Sequence, residues 1–403
     1  MTSSARLIFV NRVYWPSEEA TAQLLTDLAQ GLVTLGWEVH VIAAGIDPRS
    51  NEGVIIHRTG GKDRHHGLLS RLANYLGFIL GARQRLKALL RPGDIVILKT
   101  DPPLLALFLS RLIRRRGAGL VHWVQDIYPE VAQQHSGIWT RLLFTPWRYL
   151  RDWTWRLADH CVVVGTDMLA LPEKAGVPLA KLSTCPNWAP RELELPAVNE
   201  DIAALRQEWG LAGKFIVAYS GNLGRVHEFT TMLGAAELLQ NEPEIVFLFL
   251  GNGARYLEVK NAIAHRKLRN VRMFPAQPRV RLAATLAAAD IHLISLRPEF
   301  ATLVNPSKLA GVLAAGRPAI WIGPHTSANS RLVRQTGCGT AINSGDFNAL
   351  GSILRYWKQN PATVAQLGLA ARSCYHDRFT LTAALQFWDH LFRRISLRRA
   401  DKL

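Results

Sequence analysis

The chain has 403 residues, 48% of them hydrophobic and 20% charged, a composition that excludes a disordered protein and suits two domains better than one core. No stretch of about eighteen apolar residues occurs, so none is long enough to span a bilayer. The net charge of +17 is spread over both halves of the chain, which points to an anionic partner such as a phosphorylated ligand, a membrane surface or nucleic acid.

The opening Met1-Thr2-Ser3-Ser4-Ala5-Arg6 enters a strand-like run at once, without the basic and apolar parts of a signal peptide. Strands are predicted at Leu7–Val10, Val39–Ala43, Ile95–Leu98, Leu120–Val124 and His160–Val164, with helical patterns between them, the first over Thr21–Leu35. The alternation restarts after Pro186 with strands at Phe215–Ser220, Ile245–Leu250, Val271–Phe274, Ile291–Ser295 and Ala319–Ile322. Short, continuous apolar strands separated by helices indicate parallel sheets covered on both faces. The predicted class is therefore α/β: two doubly wound Rossmann-like domains facing a central cleft. Domain limits are set at 1–190 and 200–377, with a helix at about 378–398 crossing back to the first domain. Cys161, Cys185, Cys338 and Cys374 are widely separated and form no C-x-x-C pair. That pattern excludes zinc ribbons and redox motifs and points to a reducing, cytoplasmic compartment.

In open parallel sheets ligands bind beyond the carboxyl ends of the strands, so the residues after each strand carry the interest. Ser220-Gly221-Asn222-Leu223-Gly224-Arg225-Val226-His227-Glu228 follows one predicted strand and precedes a helix-like run from Phe229 to Gln240. Glycines there permit close backbone approach, free amides at a helix start favour phosphate, and Arg225 adds a cation. The spacing is not G-x-G-x-x-G, which argues against a dinucleotide site. Gly251-Asn252-Gly253 follows the next strand and by itself reads as a plain turn. Val304-Asn305-Pro306-Ser307-Lys308 leads into an apolar run closed by Gly316-Arg317-Pro318. Pro306 and Ser307 suit a helix start, and Gly316 and Pro318 its end. Lys308 in a first helical turn lacks a favourable dipole partner, so a bound phosphate there is more plausible than for an average lysine, whose usual fate is solvation.

These three motifs in this order resemble the C-terminal half of GT-B glycosyltransferases of family 4. The subgroup is the bacterial one that builds O-antigen, capsule and colanic-acid-like polysaccharides, often with aminosugars. The resemblance extends over nearly the whole chain through Tyr14-Trp15-Pro16 and Ala20–Leu28, Trp123-Val124-Gln125-Asp126-Ile127-Tyr128-Pro129, and Pro186-Asn187-Trp188. It implies a retaining glycosyltransferase moving a hexosyl or N-acetylhexosaminyl unit from a nucleotide-diphosphate donor, UDP-linked in its narrower form, to a lipid-linked saccharide. The wider family carries two glutamates with seven residues between them, the second holding the ribose; counted back from Gly316, those places hold Leu303 and Gly311.

Transfer needs stabilisation of a departing diphosphate, which cations and helix N-termini supply. The chain has no Asp-x-Asp, so metal-independent transfer without a cofactor is expected. Asp126, His227, Arg225 and Lys308 are the catalytic candidates. Arg225 and Lys308 are assigned to the diphosphate, assisted by the amides of Gly221 and Asn222. The donor set further includes Gly224, Gly251, Asn252, Gln277, Pro306 and Ser307. Asp126 is expected to bind acceptor or sugar hydroxyls, with general base a secondary role and a turn cap the bland reading. His227 either meets the donor sugar or caps its helix. Phe274, Pro275 and Gln277 either flank the base or pack. Tyr14, Glu19 and Thr21 fall on the acceptor side if the first loop follows the family. Glu130 reads as a surface residue.

From Leu68 to Leu90, apolar Leu68, Leu72, Tyr75, Leu76, Ile79, Leu86 and Leu90 interleave with Arg71, Arg83, Arg85, Lys87 and Arg91. This basic amphipathic pattern suits an anionic membrane, and its bland reading is a core-facing helix with solvated arginines. Arg114-Arg115-Arg116 and the tail from Arg393 to Lys402 add charge at such a surface. Helix packing is the simpler account of Trp147–Trp155. The expected location is cytoplasmic and peripheral on the inner face of the cell membrane. A nucleotide-sugar 2-epimerase of the same architecture and a non-catalytic transferase-like scaffold are the alternatives. Nucleic-acid binding has no recognition motif to support it.

Overall fold

The computed structural model describes residues 5–45, 50–60, 68–134 and 138–400. The chain divides into two compact units: Met1–Pro186 with Thr302–Asn305 and Leu381–Leu403, and Asn187–Ala301 with Pro306–Thr380. The motif Asn305-Pro306-Ser307-Lys308 therefore begins in the first unit and ends in the second.

The first unit is built on β1 (Leu7–Val10), β2 (Val39–Ala44), β3 (Ser50–Asn51), β4 (Val54–Thr59), β5 (Ile95–Lys99), β6 (Gly119–Val124), β7 (His160–Val163) and β8 (Leu182–Thr184), ordered 3-4-2-1-5-6-7-8. Every pairing is parallel except the short β3–β4 pair. The strands β1, β2, β5, β6 and β7 are buried along their whole length, which explains their unbroken apolar runs. The helix Leu381–Ala400 packs on this sheet. Trp388 lies 5.1 Å from Trp123 and Phe392 lies 6.3 Å from Phe9, ring centroid to centroid. Both helix residues are fully buried.

The second unit contains β9 (Phe215–Ser220), β10 (Ile245–Leu250), β11 (Val271–Phe274), β12 (Ile291–Ser295), β13 (Ala319–Ile322) and β14 (Gly339–Ile342), all parallel, in the order 11-10-9-12-13-14. Two apolar clusters cover it, one around Tyr219, Phe229, Phe247 and Phe249 and one around Trp209, Ile216 and Leu248.

In each sheet the strand order reverses direction at one place: between β1 and β5 in the first, and between β9 and β12 in the second. Crossovers leave to opposite sides there, opening a crevice at the carboxyl ends. The residues after β1, β5, β9 and β12 are thus placed for ligand binding by topology.

Candidate functional site

In the second unit the loops after β9 and β10 are laced together. The Gly221 amide donates to the Leu250 carbonyl at 2.8 Å, and the Leu223 amide donates to the Asn252 carbonyl at 2.8 Å. Gly221, Gly251 and Gly253 have φ of +122°, +139° and +154°. A Cβ on Gly251 would collide with the Gly221 carbonyl oxygen, and one on Gly253 with the Asn222 side chain and the Leu223 carbonyl. Gly251 and Gly253 are required by backbone approach, so Gly251-Asn252-Gly253 is more than a plain turn. The Gly221 amide, assigned above to the diphosphate, is spent on Leu250; this corrects that assignment. The helix after the loop begins only at Thr230, and the Glu228 carboxylate accepts from the Thr231 amide at 3.1 Å. Its first turn is capped by a carboxylate, so it offers no open anion site, contrary to the reading of a phosphate-binding helix start.

Lys308 opens the helix Lys308–Ala314, following Ser307, whose side chain makes no cap bond. Its Nζ is shielded from solvent, has no hydrogen-bond partner among the described residues, and lies 3.6 Å from the centroid of the Tyr219 ring. A Cβ on Gly221 would be 3.7 Å from that Nζ, so the amine lies directly against the glycine loop. Burial holds its pKa well below the ordinary lysine value. Tyr219 is clasped by Phe229 and Phe249, and its hydroxyl donates to the Asn222 carbonyl at 2.8 Å.

His227 is buried, with Nδ1 2.7 Å from the Ser295 carbonyl oxygen and its ring against Tyr219. A carbonyl only accepts, so Nδ1 carries the proton and Nε2 is left as an acceptor. Burial, and then the neighbouring Lys308, push the His227 pKa down to about 3, so the ring is neutral. His227 does not cap the following helix; Glu228 does. The Glu228 amide in turn donates to the Ser295 hydroxyl at 3.2 Å, tying the loop to the end of β12.

The structure brings Gly221, Asn222, Gly224, Gly251, Asn252, His227 and Lys308 into one cradle. Arg225 belongs to the same loop, but its side chain is exposed. Pro306 is buried at the approach to the helix. Gln277 lies on the loop after β11, with Nε2 donating to the Pro275 carbonyl at 3.1 Å. Phe274 stacks on Trp209, 5.8 Å between centroids, and belongs to the core. At the family's ribose position, a Cβ on Gly311 would meet Leu193 at 3.3 Å and Leu286 at 3.4 Å.

In the first unit a pocket opens at the ends of β1, β5 and β6. Its lining includes Glu19, Thr21, Lys99, Asp101 and Asp126. Thr21 contributes its carbonyl oxygen, which accepts from Lys99 Nζ at 2.8 Å; that amine also lies 4.0 Å from the Trp123 ring centroid. Burial lowers the Lys99 pKa to about 7. Asp101 pairs with Arg12 at 3.2 Å. Burial, then the Asp101 charge, raise the Asp126 pKa to about 6. The backbone of Asp126 bridges Val304, and the Ile127 amide donates to the Leu303 carbonyl at 2.9 Å. Leu303, the first of the family's glutamate places, is thus buried against the Asp126 loop.

Two expectations fail in this unit. Tyr14 is 2% exposed, its pKa raised by burial, so it packs inside the unit and offers no face to an acceptor. Glu130 is 7% exposed and holds Arg151 through two 2.8 Å bonds, so it is an interior ion pair and not a surface residue.

Lys99, Asp101, Arg12 and Tyr219 do not stand out in the sequence. The strand-end rule held the signal for the first two, because Lys99-Thr100-Asp101 ends or directly follows β5. Among the described residues no three His, Cys, Asp or Glu side chains gather as a metal group.

The helix Leu68–Leu89 buries Phe78, Ile79, Ala82 and Leu86 but exposes Leu72, Leu76 and Leu80, at 49%, 53% and 66%. The exposed leucines are four residues apart and form one stripe, with Arg83, Arg85 and Lys87 also exposed. The side chains of Leu68 and Arg71, like residues 401–403 of the basic tail, lie outside the described residues. In the helix Ile138–Leu157, Trp155 packs inside as expected, while Trp147, Tyr149 and Leu150 are exposed. No described helix is long and apolar enough to cross a membrane.

Comparison with known proteins bears on both units. Residues 21–192 match the family model described as Glycosyltransferase Family 4, and residues 201–373 match Glycosyl transferases group 1. WbjE of Pseudomonas aeruginosa, named as a glycosyltransferase, is 30% identical over 336 residues, covering 80% of this chain and 78% of that one. WcaI of Escherichia coli (strain K12), named for colanic acid biosynthesis, is 31% identical over 163 residues, 40% of each chain. Among solved structures, Anabaena HepE in complex with UDP and glucose has a TM-score of 0.73 at 15% identity, over 97% of this chain and 100% of that one.

Proposed function

Because the chain belongs to the GT-B glycosyltransferases of family 4, we propose that it is a retaining, metal-independent enzyme of cell-surface polysaccharide biosynthesis. It takes a sugar from a UDP-type donor and delivers it to a lipid-linked saccharide. The observation that carries this reading is the Lys308 amine, buried without a hydrogen-bond partner against the paired glycine loops. A buried polar group with no partner is costly, and a donor diphosphate would complete the site. HepE, bound to UDP in its own structure, supports the choice of nucleotide, and WcaI, named for colanic acid, supports the product class.

In this reading Lys308 and the exposed Arg225 take up negative charge as the nucleotide departs. His227 Nε2 accepts from a donor hydroxyl, and the Asp126 carboxylate accepts from the attacking hydroxyl of the acceptor. The Leu72–Leu76–Leu80 stripe with its exposed basic neighbours supports docking on the anionic inner face of the membrane, where a lipid-linked acceptor resides.

The test is transfer from radiolabelled nucleotide sugars to membrane extract, with the product anomer read by NMR. Lys308→Ala and Arg225→Ala should each lower kcat/KM by about 10²-fold or more. Wild-type transfer in both variants would remove the diphosphate assignment. Loss of transfer on adding a chelator would remove metal independence. An inverted anomer would remove retention, and no transfer with any common donor would favour a scaffold. Flotation with anionic liposomes at low salt should fail for Leu76→Ser/Leu80→Ser if the stripe docks.

A further inference from the structure

We propose that Lys308 stands uncharged before a donor binds and takes up one proton when the donor diphosphate arrives, so that nucleotide affinity and proton uptake are linked. The inference rests on the donor-site reading above and deepens it. Its basis is what surrounds the amine. From β9 comes the Tyr219 ring, whose hydroxyl proton is spent on the Asn222 carbonyl. From the next loop come Gly221 and His227, the latter neutral with its Nδ1 proton donated to the Ser295 carbonyl oxygen. From β12 comes His292, fully buried, with Nε2 held at the Leu286 carbonyl, 2.9 Å away, and its pKa lowered to about 4 by burial first. No carboxylate of the described residues acts on the amine; on the neighbouring segments, Glu228 accepts from the Thr231 amide and Glu258 is paired with Arg255.

Among the described residues an ammonium here would have neither a counter-charge nor an acceptor for any of its three protons. The ring face returns only part of the lost hydration. Burial acts alone on this amine, in the direction of the neutral form. A diphosphate reverses the balance, because it brings both negative charge and acceptor oxygens to Nζ. The proton then comes from the buffer and adds to the nitrogen lone pair; no other bond changes. By linkage, affinity must fall about tenfold for each unit that pH rises through the range where the free amine is neutral and the bound one charged.

The test is calorimetric titration of the purified chain with UDP at pH 8, in buffers of different ionisation enthalpy such as HEPES and Tris. At that pH a terminal phosphate has already lost its second proton, so uptake reports on the protein. Wild type should take up close to one proton per UDP. Lys308→Met should bind more weakly and take up close to none. Arg225→Gln should also bind more weakly yet keep the full uptake. Binding of UDP by wild type without proton uptake overturns the linkage and leaves the donor site standing, as does unchanged uptake in Lys308→Met. If UDP, ADP, GDP and inorganic pyrophosphate all fail to bind wild type, the donor-site reading falls and takes the linkage with it.

Discussion

The Lys99 ammonium donates to the Thr21 carbonyl oxygen at 2.8 Å, linking the end of β5 to the first turn of the helix Ala20–Thr34. Its pKa, lowered to about 7 by burial, has a thermodynamic consequence. Between about pH 7 and the unfolded value of 10.5 the unfolded chain holds a proton that the folded chain lacks, so folding stability must rise with pH across that window. The slope contributed by this residue is at most about 1.4 kcal/mol per pH unit. In Lys99→Met that rise should be absent from urea unfolding measured at pH 7, 8 and 9. An identical slope in both proteins would refute it.

The role proposed for Asp126 sets an expectation on the acid side of neutrality. With its pKa raised to about 6, the carboxylate proposed to accept from an acceptor hydroxyl is lost below that pH. Turnover should drop about tenfold per unit on further acidification. Asp101 contributes to the raised value, so Asp101→Asn should move the acid limb to lower pH, whereas Asp126→Asn should abolish most activity. Profiles of kcat/KM from pH 5 to 8 decide the matter, and an unmoved limb in Asp101→Asn would exclude the coupling.

The Glu130–Arg151 pair predicts a specific asymmetry. Arg151→Met leaves a buried carboxylate with, among the described residues, the 3.2 Å contact to Arg148 as its remaining ion pair and should cost about 3–5 kcal/mol. Replacing both residues with methionine should cost less than the single change. Chemical denaturation of the two variants gives the comparison, and a double variant less stable than the single one would contradict it.

Glycines that share a positive φ should differ sharply in tolerance. Gly210 has φ +66° with nothing within 4 Å of the position a methyl would take, so Gly210→Ala should cost about 1 kcal/mol. Gly251→Ala drives a methyl into the Gly221 carbonyl oxygen and should cost about 3 kcal/mol or more. It should also weaken nucleotide binding. Thermal melts in the presence and absence of UDP separate the two, and equal losses would refute the close-approach account.

Much of the architecture was legible because strands buried on both faces read as unbroken apolar runs, as in Phe215–Ser220 and Ile245–Leu250. The missed strands lack that signature: β3 has two residues and β8 three. β4 alternates buried and exposed residues near one edge of its sheet, and β14 is the short Gly339-Thr340-Ala341-Ile342 at an edge of the other. The cradle was legible in its residue types but not in its bonding. Local pattern places Gly221 at a strand end, but only the neighbouring strand reveals that its amide already belongs to Leu250. Likewise a single tyrosine inside an apolar strand gives no sign that its ring carries Lys308. Glu130 misleads for the same reason: its partner Arg151 lies on a different helix, beyond the reach of spacing rules.

The paired glycine loops after β9 and β10 have one more consequence. Their backbones are in contact, cross-bonded at Gly221–Leu250 and Leu223–Asn252, and closed by glycines that no other residue can replace without displacement. The conformational entropy of ordering these two segments is therefore lost when the unit folds rather than when a donor arrives. On the donor-site proposal a nucleotide meets a preformed seat, and differences between donor sugars register as fit or misfit to that seat, not as differing costs of closing it.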